Sequence, residues 1–324
     1  MKAVLCQKLG GPDDLVVADL PDPVPGPGEV LVRVMAAGLN FFDTLIIAGK
    51  YQIRPDFPFS PGAEFAGTVE SVGPGVSAFA PGERVMGYCA YGAARQRLAV
   101  KATTLTKIPD ALDFDRAAGL SVTYGTTYYA LKDRGHMQAG ETLAVLGAAG
   151  GVGLAAVEIG KLMGARVIAC ASSDDKCAFA RAHGADLTVN YGRDDLRDAL
   201  KQATQGRGAD VIYDPVGGPY AESALRAIAW EGRFLVIGFA AGEIPKLPLN
   251  LTLLKNCDVV GVFWGAFTQR EPQAQAKNMQ QIVRWCAEGK LSAHVHATYP
   301  LGETTRALHD IAARRIMGKA IVKP

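Results

Sequence analysis

Leu146-Gly147-Ala148-Ala149-Gly150-Gly151-Val152-Gly153 decides the fold of this chain. Residues 142–146 before it form an apolar, strand-like run, and residues 152–163 after it carry helical periodicity. A glycine-rich loop between strand and helix is the context that a dinucleotide fingerprint requires. Glycine at 150 lets the backbone approach a pyrophosphate, and glycine at 153 lets the helix pack closely on the sheet. The helix N-terminus then offers unpaired N–H groups and a partial positive charge to phosphates. The loop departs from G-x-G-x-x-G because Ala148 stands where the first glycine belongs.

The rhythm around the loop agrees with that reading. Residues 166–170 read as a strand and 174–183 as a helix closed by Gly184. Segments 186–189, 194–204 and 211–213 follow, then a helix over 220–229 and a strand over 234–237. Such alternation predicts an α/β unit, a doubly wound parallel sheet with helices on both faces. The first third differs. It is rich in Gly, Pro and Val, with short strand-like runs at 29–34, 69–72 and 84–86 bounded by turn residues. That pattern predicts a β-rich, barrel-like unit. Pro21-Asp22-Pro23-Val24-Pro25-Gly26-Pro27-Gly28 is a stiff connector. Beyond 265, helices are expected at 273–288 and 304–314, and a strand at 319–323 late enough to return to the first domain.

Bulk properties exclude several classes. The 34 basic and 32 acidic residues nearly cancel, so no global field draws nucleic acid or an anionic membrane. No apolar run reaches the roughly 20 residues of a membrane span. Met1-Lys2-Ala3-Val4-Leu5-Cys6 is too short for a signal peptide, and the expected location is cytoplasmic. The six cysteines, at 6, 89, 170, 177, 257 and 286, form no C-x-x-C pair and are expected to be reduced, packed thiols.

The choice of dinucleotide rests on the end of the second strand, Ala169-Cys170-Ala171-Ser172-Ser173. An NAD site places Asp or Glu there, about 20 residues past the loop, to hold the ribose hydroxyls. Here that place is Ala171. Ser172 and Ser173 can donate hydrogen bonds to a 2′-phosphate, and Lys176 can supply positive charge. Asp174 and Asp175 would repel a phosphate if turned inward; turned outward, they stabilise a helix N-terminus. The expected cofactor is NADPH.

Seven ordered motifs resemble the medium-chain dehydrogenase/reductase superfamily, in its zinc-free quinone oxidoreductase (zeta-crystallin-like) branch. They are Ala37-Gly38-Leu39-Asn40-Phe41-Phe42-Asp43, Pro61-Gly62-Ala63-Glu64-Phe65-Ala66-Gly67, Val72-Gly73-Pro74-Gly75-Val76, Pro81-Gly82-Glu83-Arg84-Val85, Thr123-Tyr124-Gly125-Thr126, the 148–153 loop, and Asp214-Pro215-Val216-Gly217-Gly218. The resemblance spans nearly the whole chain. It implies a Rossmann domain, residues 123–264, inserted into a GroES-like, partly open barrel-like catalytic domain built from both chain ends, residues 1–122 and 265–324. It also implies that Lys176 and Tyr191 contact the adenosine 2′-phosphate end, with Gly238, Phe239, Phe263 and Trp264 on the nicotinamide side. Lys319 resembles a basic residue that reaches the cofactor phosphates. Asn40, Thr123, Ala148, Gly150, Gly151, Val152, Ser172, Ser173 and Val216 complete the cofactor set so implied. Relatives pair edge strands across a two-fold axis, so the apolar run Val259-Val260-Gly261-Val262-Phe263 leads us to expect a homodimer.

Zinc-dependent relatives carry ligands where this chain has Asn40, Ala63 and, approximately, Ala118. A catalytic zinc needs three protein ligands, and two alanines and an asparagine do not supply them. An acceptor that is already electrophilic, a small quinone or an activated alkene, needs no Lewis acid. The expected reaction is therefore NADPH-dependent quinone reduction by direct hydride transfer. Alternatives are reduction of an alkenal, enone or acryloyl thioester, or, in another class, a non-catalytic crystallin-like NADPH-binding or RNA-binding protein. Asn40 and Asp43 are the polar groups expected at the reacting end; a turn residue and a helix cap are their other reading. Tyr51 resembles a substrate-side tyrosine and is either a hydrogen-bond donor or an exposed loop aromatic.

Overall fold

The computed structural model describes residues 1–324, which divide into two units. The first comprises Met1–Val122, Glu271–Gly289 and Ala293–Pro324, and the second Thr123–Arg270 and Lys290–Ser292.

The second unit is built on a six-stranded, wholly parallel sheet. Its strand order is Leu187–Asn190, Arg166–Ala171, Thr142–Leu146, Ala209–Asp214, Ile228–Val236 and Asp258–Gly261. Thr142–Leu146 is buried at every position, as expected for a strand covered on both faces. From that strand the chain winds first to one side and then to the other, so a switch point lies beside the glycine loop, where open α/β sheets bind their ligands.

Two details depart from expectation. The helix predicted over 220–229 ends at Arg226, and Ile228–Val236 is already strand. Ala227, Ile228 and Ala229 are all buried, and a register shift with Glu231 at φ 57° throws Trp230 outward to 64 % exposure. The expected boundary at 264/265 falls inside the helix Trp264–Arg270, which stays with the second unit. Phe267 stacks on Tyr129 with ring centroids 4.0 Å apart, and a Cβ on Gly125 would lie 2.9 Å from the Trp264 ring. Lys290–Ser292 joins the same unit because Ser292 donates to Glu158, a buried carboxylate that also accepts from the Tyr124 hydroxyl at 2.7 Å.

The first unit carries a seven-stranded sheet. Glu29–Leu39 is its centre, flanked by Glu64–Val72 and Lys319–Lys323, with Arg97–Lys101 also paired to it. Val30, Val32 and Val34 point inward with the period of two that a strand imposes. Arg84–Tyr88, Leu105–Lys107 and Val295–Pro300 complete the sheet. Lys319–Lys323 lies antiparallel to the end of the central strand, with Ala320 opposite Leu39. No helix in either unit is long and apolar enough to cross a membrane.

Candidate active site

The nucleotide loop is shaped by a steric requirement. Gly147 sits at φ 60°, in the left-handed region, and a Cβ on Gly153 would meet the Gly147 carbonyl oxygen at 2.1 Å. The loop and the first turn of helix Gly151–Leu162 are therefore in direct backbone contact. Thr127 fixes the turn from beneath: its hydroxyl lies 3.2 Å from the Val152 carbonyl oxygen and 2.8 Å from the Tyr213 hydroxyl. The first-turn N–H groups of Gly151, Val152 and Gly153 have no acceptor within the helix and can face an anion. Gly150, Gly151 and Val152 are partly exposed there.

Ala148 must be removed from the expected contact set. It is fully buried, and its N–H is spent on the Cys170 carbonyl at 3.1 Å. Val216 is a wall rather than a contact: it is buried, its N–H bonds Asp214, and a Cβ on Gly147 would lie 2.9 Å from its Cγ2. Thr123 is likewise buried.

At the end of Arg166–Ala171 the expected polar residues converge. Ser173 caps helix Asp174–Ala182, accepting from the Lys176 N–H, and Ser172 is exposed. The turn after strand Leu187–Asn190 lies against them, since a Cβ on Gly192 would lie 2.5 Å from the Ser172 carbonyl oxygen. That turn brings in Tyr191, whose ring sits 4.5 Å from Tyr220, and Arg193. Arg193 and Asn190 were not anticipated from sequence. Asn190 donates to Asp174 at 2.8 Å, and the Arg193 guanidinium reaches Asp174 at 3.3 Å and Asp194 at 3.0 Å. Their donors occupy the Asp174 carboxylate, which answers the repulsion it would otherwise offer a phosphate. Asn190-Tyr191-Gly192, turn-forming residues just past a strand, was the available sequence signal for this turn.

The nicotinamide-side expectations divide. Phe239 and Phe263 are exposed, at 37 % and 56 %. Trp264 is not available as a cofactor wall: it is 4 % exposed, packed where Gly125 has no side chain.

In the first unit, strand Glu29–Leu39 delivers Asn40 and helix Phe41–Ile47 into a buried polar cluster. Lys319 Nζ donates to Glu64 Oε1 at 2.7 Å, Asn40 Oδ1 at 2.8 Å and the Leu39 carbonyl at 2.9 Å. Glu64 also accepts from Asn40 Nδ2 at 2.9 Å and from the Val122 N–H at 2.8 Å. The two charged side chains are 4 % and 0 % exposed. All three ammonium hydrogens are thus committed, so the expectation that Lys319 reaches cofactor phosphates is corrected: it is the counter-charge of Glu64.

Asp43 is corrected as well. It is fully buried, accepts from the Asn40 N–H at 2.7 Å and the Gly62 N–H at 2.9 Å, and touches no open space. Burial pushes its carboxyl up to about 7, against those two amide donors and the nearby Lys319 charge. It is a positioning residue that ties helix Phe41–Ile47 to the 60–63 turn. Asn40 spends its amide on Lys319 and Glu64 while remaining partly exposed. Tyr51 is not a free loop aromatic: it stacks on Phe42 at 5.3 Å and is half-buried, and burial raises its phenol. At the positions where zinc-dependent relatives carry ligands, Ala63 and Ala118 are wholly buried and offer no donor. No group of three or more His, Cys, Asp or Glu side chains is placed to hold a metal ion.

A Rossmann sheet with a glycine-rich loop in one unit, and a GroES-like unit that lacks zinc ligands in the other, define an oxidoreductase of one superfamily. The chain belongs to the medium-chain dehydrogenase/reductase superfamily, in its zinc-free quinone oxidoreductase-like branch. The family described as "Alcohol dehydrogenase GroES-like domain" matches residues 26–110, and "Zinc-binding dehydrogenase" matches residues 151–283. The chain is 38 % identical to a quinone oxidoreductase-like protein 2 homolog of Nematostella vectensis, over 99 % of this chain and 88 % of the relative. Among solved structures it is similar to a quinone oxidoreductase of Pseudomonas syringae pv. Tomato DC3000, at 32 % identity and TM-score 0.93, covering 100 % of this chain and 99 % of that one. The Escherichia coli quinone oxidoreductase complexed with NADPH matches at 29 % identity and TM-score 0.92, covering 100 % of both chains.

Proposed function

We propose that this protein reduces small quinones with NADPH, by direct hydride transfer and without a metal. The observation that carries the cofactor choice is the end of strand Arg166–Ala171: Ala171 stands in place of an acidic residue, Ser172 and the helix cap Ser173 follow it, and the Gly192–Arg193 turn closes on Ser172, with Arg193 on Asp174. The residues present fit the cofactor. The Gly150–Val152 backbone holds the pyrophosphate, the serines with Lys176 and Arg193 hold the 2′-phosphate, and Gly238, Phe239 and Phe263 border the nicotinamide. NADPH supplies the hydride, and a solvent proton completes the hydroquinone. The NADPH complex of the Escherichia coli relative supports the assignment.

Loss of NADPH absorbance on adding a simple quinone tests the reaction. Turnover is expected with the quinone; turnover only with enals or acryloyl thioesters would assign the hydride to a β-carbon instead. Lys176→Ala is expected to weaken NADPH binding by about 1.5–3 kcal/mol, the scale of a charge-assisted hydrogen bond. NADH affinity should change much less; equal losses for the two would refute the role given to Lys176.

The quaternary reading is a homodimer. Asp258–Gly261 is an edge strand, paired on one side only, with Val259 43 % exposed. The preceding helix Asn250–Lys255 exposes Leu253 at 80 % and Leu254 at 64 %. An open edge flanked by apolar side chains suits a second copy across a two-fold axis. Light scattering should give twice the 34.2 kDa chain mass, falling to one chain in Leu253→Glu/Val259→Lys. A parent protein that is monomeric at micromolar concentration would count against the pairing.

A further inference from the structure

Arg95 Nε is buried without a hydrogen-bond partner, the one side-chain nitrogen or oxygen in the chain in that condition. The residue is half-buried, and Nη2 donates to Ser60 Oγ at 3.0 Å. It makes no ion pair: the groups acting on its charge are the Cys89 thiol and the Tyr91 phenol. Burial pushes the Cys89 thiol up, so it brings no negative charge. A partly desolvated guanidinium without a counter-anion is costly, and chains pair such groups when nothing else requires them.

The surroundings say what would pay that cost. Ala94 N–H bonds the Pro61 carbonyl and Ala93 N–H bonds the Gly62 carbonyl, each at 2.9 Å. Arg95 is therefore zipped to the turn whose Gly62 N–H holds Asp43. Beside it, Tyr91 stands edge-on to Phe59 at 5.9 Å, and Phe57 lies 5.8 Å from Phe59. Tyr91 and Phe57 are 38 % and 47 % exposed. An arginine fork with an aromatic rim matches a flat molecule bearing an acid group.

We propose that Arg95, braced from behind by the wholly buried Ser60, forms a carboxylate subsite, which narrows the acceptor to planar quinones carrying an acid substituent. The inference rests on the quinone reading above. Nη1, which has no partner in the chain, and Nη2 take the two carboxylate oxygens. Ser60, itself wholly buried, accepts from Nη2 and fixes the plane of the fork rather than touching the carboxylate. The ring of the acceptor lies along Tyr91 and Phe57.

Calorimetric titration with benzoate tests the subsite apart from turnover. One benzoate per chain is expected, with affinity falling at least about 10-fold in Arg95→Gln. Arg95→Lys, which keeps the charge and loses the fork, should fall less. Benzamide, the uncharged analogue, should bind no better to the parent than to Arg95→Gln. In turnover with NADPH, 2-methyl-1,4-naphthoquinone is compared with its 3-propanoate derivative. The acid should have the lower KM in the parent, and that advantage should vanish in Arg95→Gln. Benzoate that binds parent and variant equally, or binds neither, overturns the subsite. If neither quinone is reduced, the quinone reading falls while the benzoate titration still decides the subsite. Should Arg95→Gln not fold, Arg95→Lys and Ser60→Ala carry the titration, and parent-like affinity in both overturns it.

Discussion

Lys319→Met is expected to cost about 3–5 kcal/mol of stability, the penalty for leaving one partner of a buried ion pair alone. Glu64 is wholly buried, and the ammonium is the one cation hydrogen-bonded to it. Without it, the carboxylate keeps two neutral donors, Asn40 Nδ2 and the Val122 N–H, and no counter-charge. Chemical unfolding followed by circular dichroism should show the lower midpoint. The double variant Lys319→Met/Glu64→Gln removes both charges and should regain most of the loss, because a neutral amide in that pocket carries no Born penalty. A single variant as stable as the parent, or a double variant no better than the single, would show that the pair is not what holds this part of the sheet together.

Gly153→Val is expected to abolish useful NADPH affinity, by about 100-fold or more, equivalent to about 2.7 kcal/mol. A Cβ there would lie 2.1 Å from the Gly147 oxygen and 2.8 Å from its carbonyl carbon, distances that only backbone movement can relieve. Movement of either segment turns the first-turn N–H groups away from the phosphates. Gly302→Ala, where a Cβ meets nothing within 4 Å, is the neutral comparison. Fluorescence titration with NADPH reads the effect, and an affinity within three-fold of the parent would refute the steric argument. A preserved far-ultraviolet spectrum would place the loss in the loop rather than in global folding.

The parts of the molecule that were legible in sequence are those fixed by local patterns. Strand, glycine loop and helix over 142–163 announced the nucleotide fold because periodicity and glycine placement are short-range facts. The late strand Lys319–Lys323 was legible as a strand for the same reason. What escaped was the destination of individual polar groups. The N–H of Ala148 goes to Cys170, and the ammonium of Lys319 goes to Leu39, Asn40 and Glu64, partners 255 to 280 residues away for the last. No local rule assigns such pairs. Asp43 was expected at the reacting end, with a helix cap as its other reading, and its two amide donors decide for the second. The resemblance implied Trp264 as a cofactor wall, and its burial depends on the close approach that the bare face of Gly125 allows. Arg193 was hidden in an ordinary polar turn, and its use depends on how closely Gly192 approaches Ser172.

The closing strand also dictates an order of events during synthesis. Strand Glu29–Leu39 emerges from the ribosome early, yet its neighbour Lys319–Lys323 follows some 280 residues later. Thr123–Arg270 can complete its own parallel sheet in the meantime. Throughout that interval Glu64 and Asn40 wait without their ammonium, and the end of the central strand, residues 37–39, stays without its neighbour on one edge. The nascent chain is thus a finished nucleotide domain attached to an unfinished barrel, and the barrel is the part exposed to chaperones and proteases.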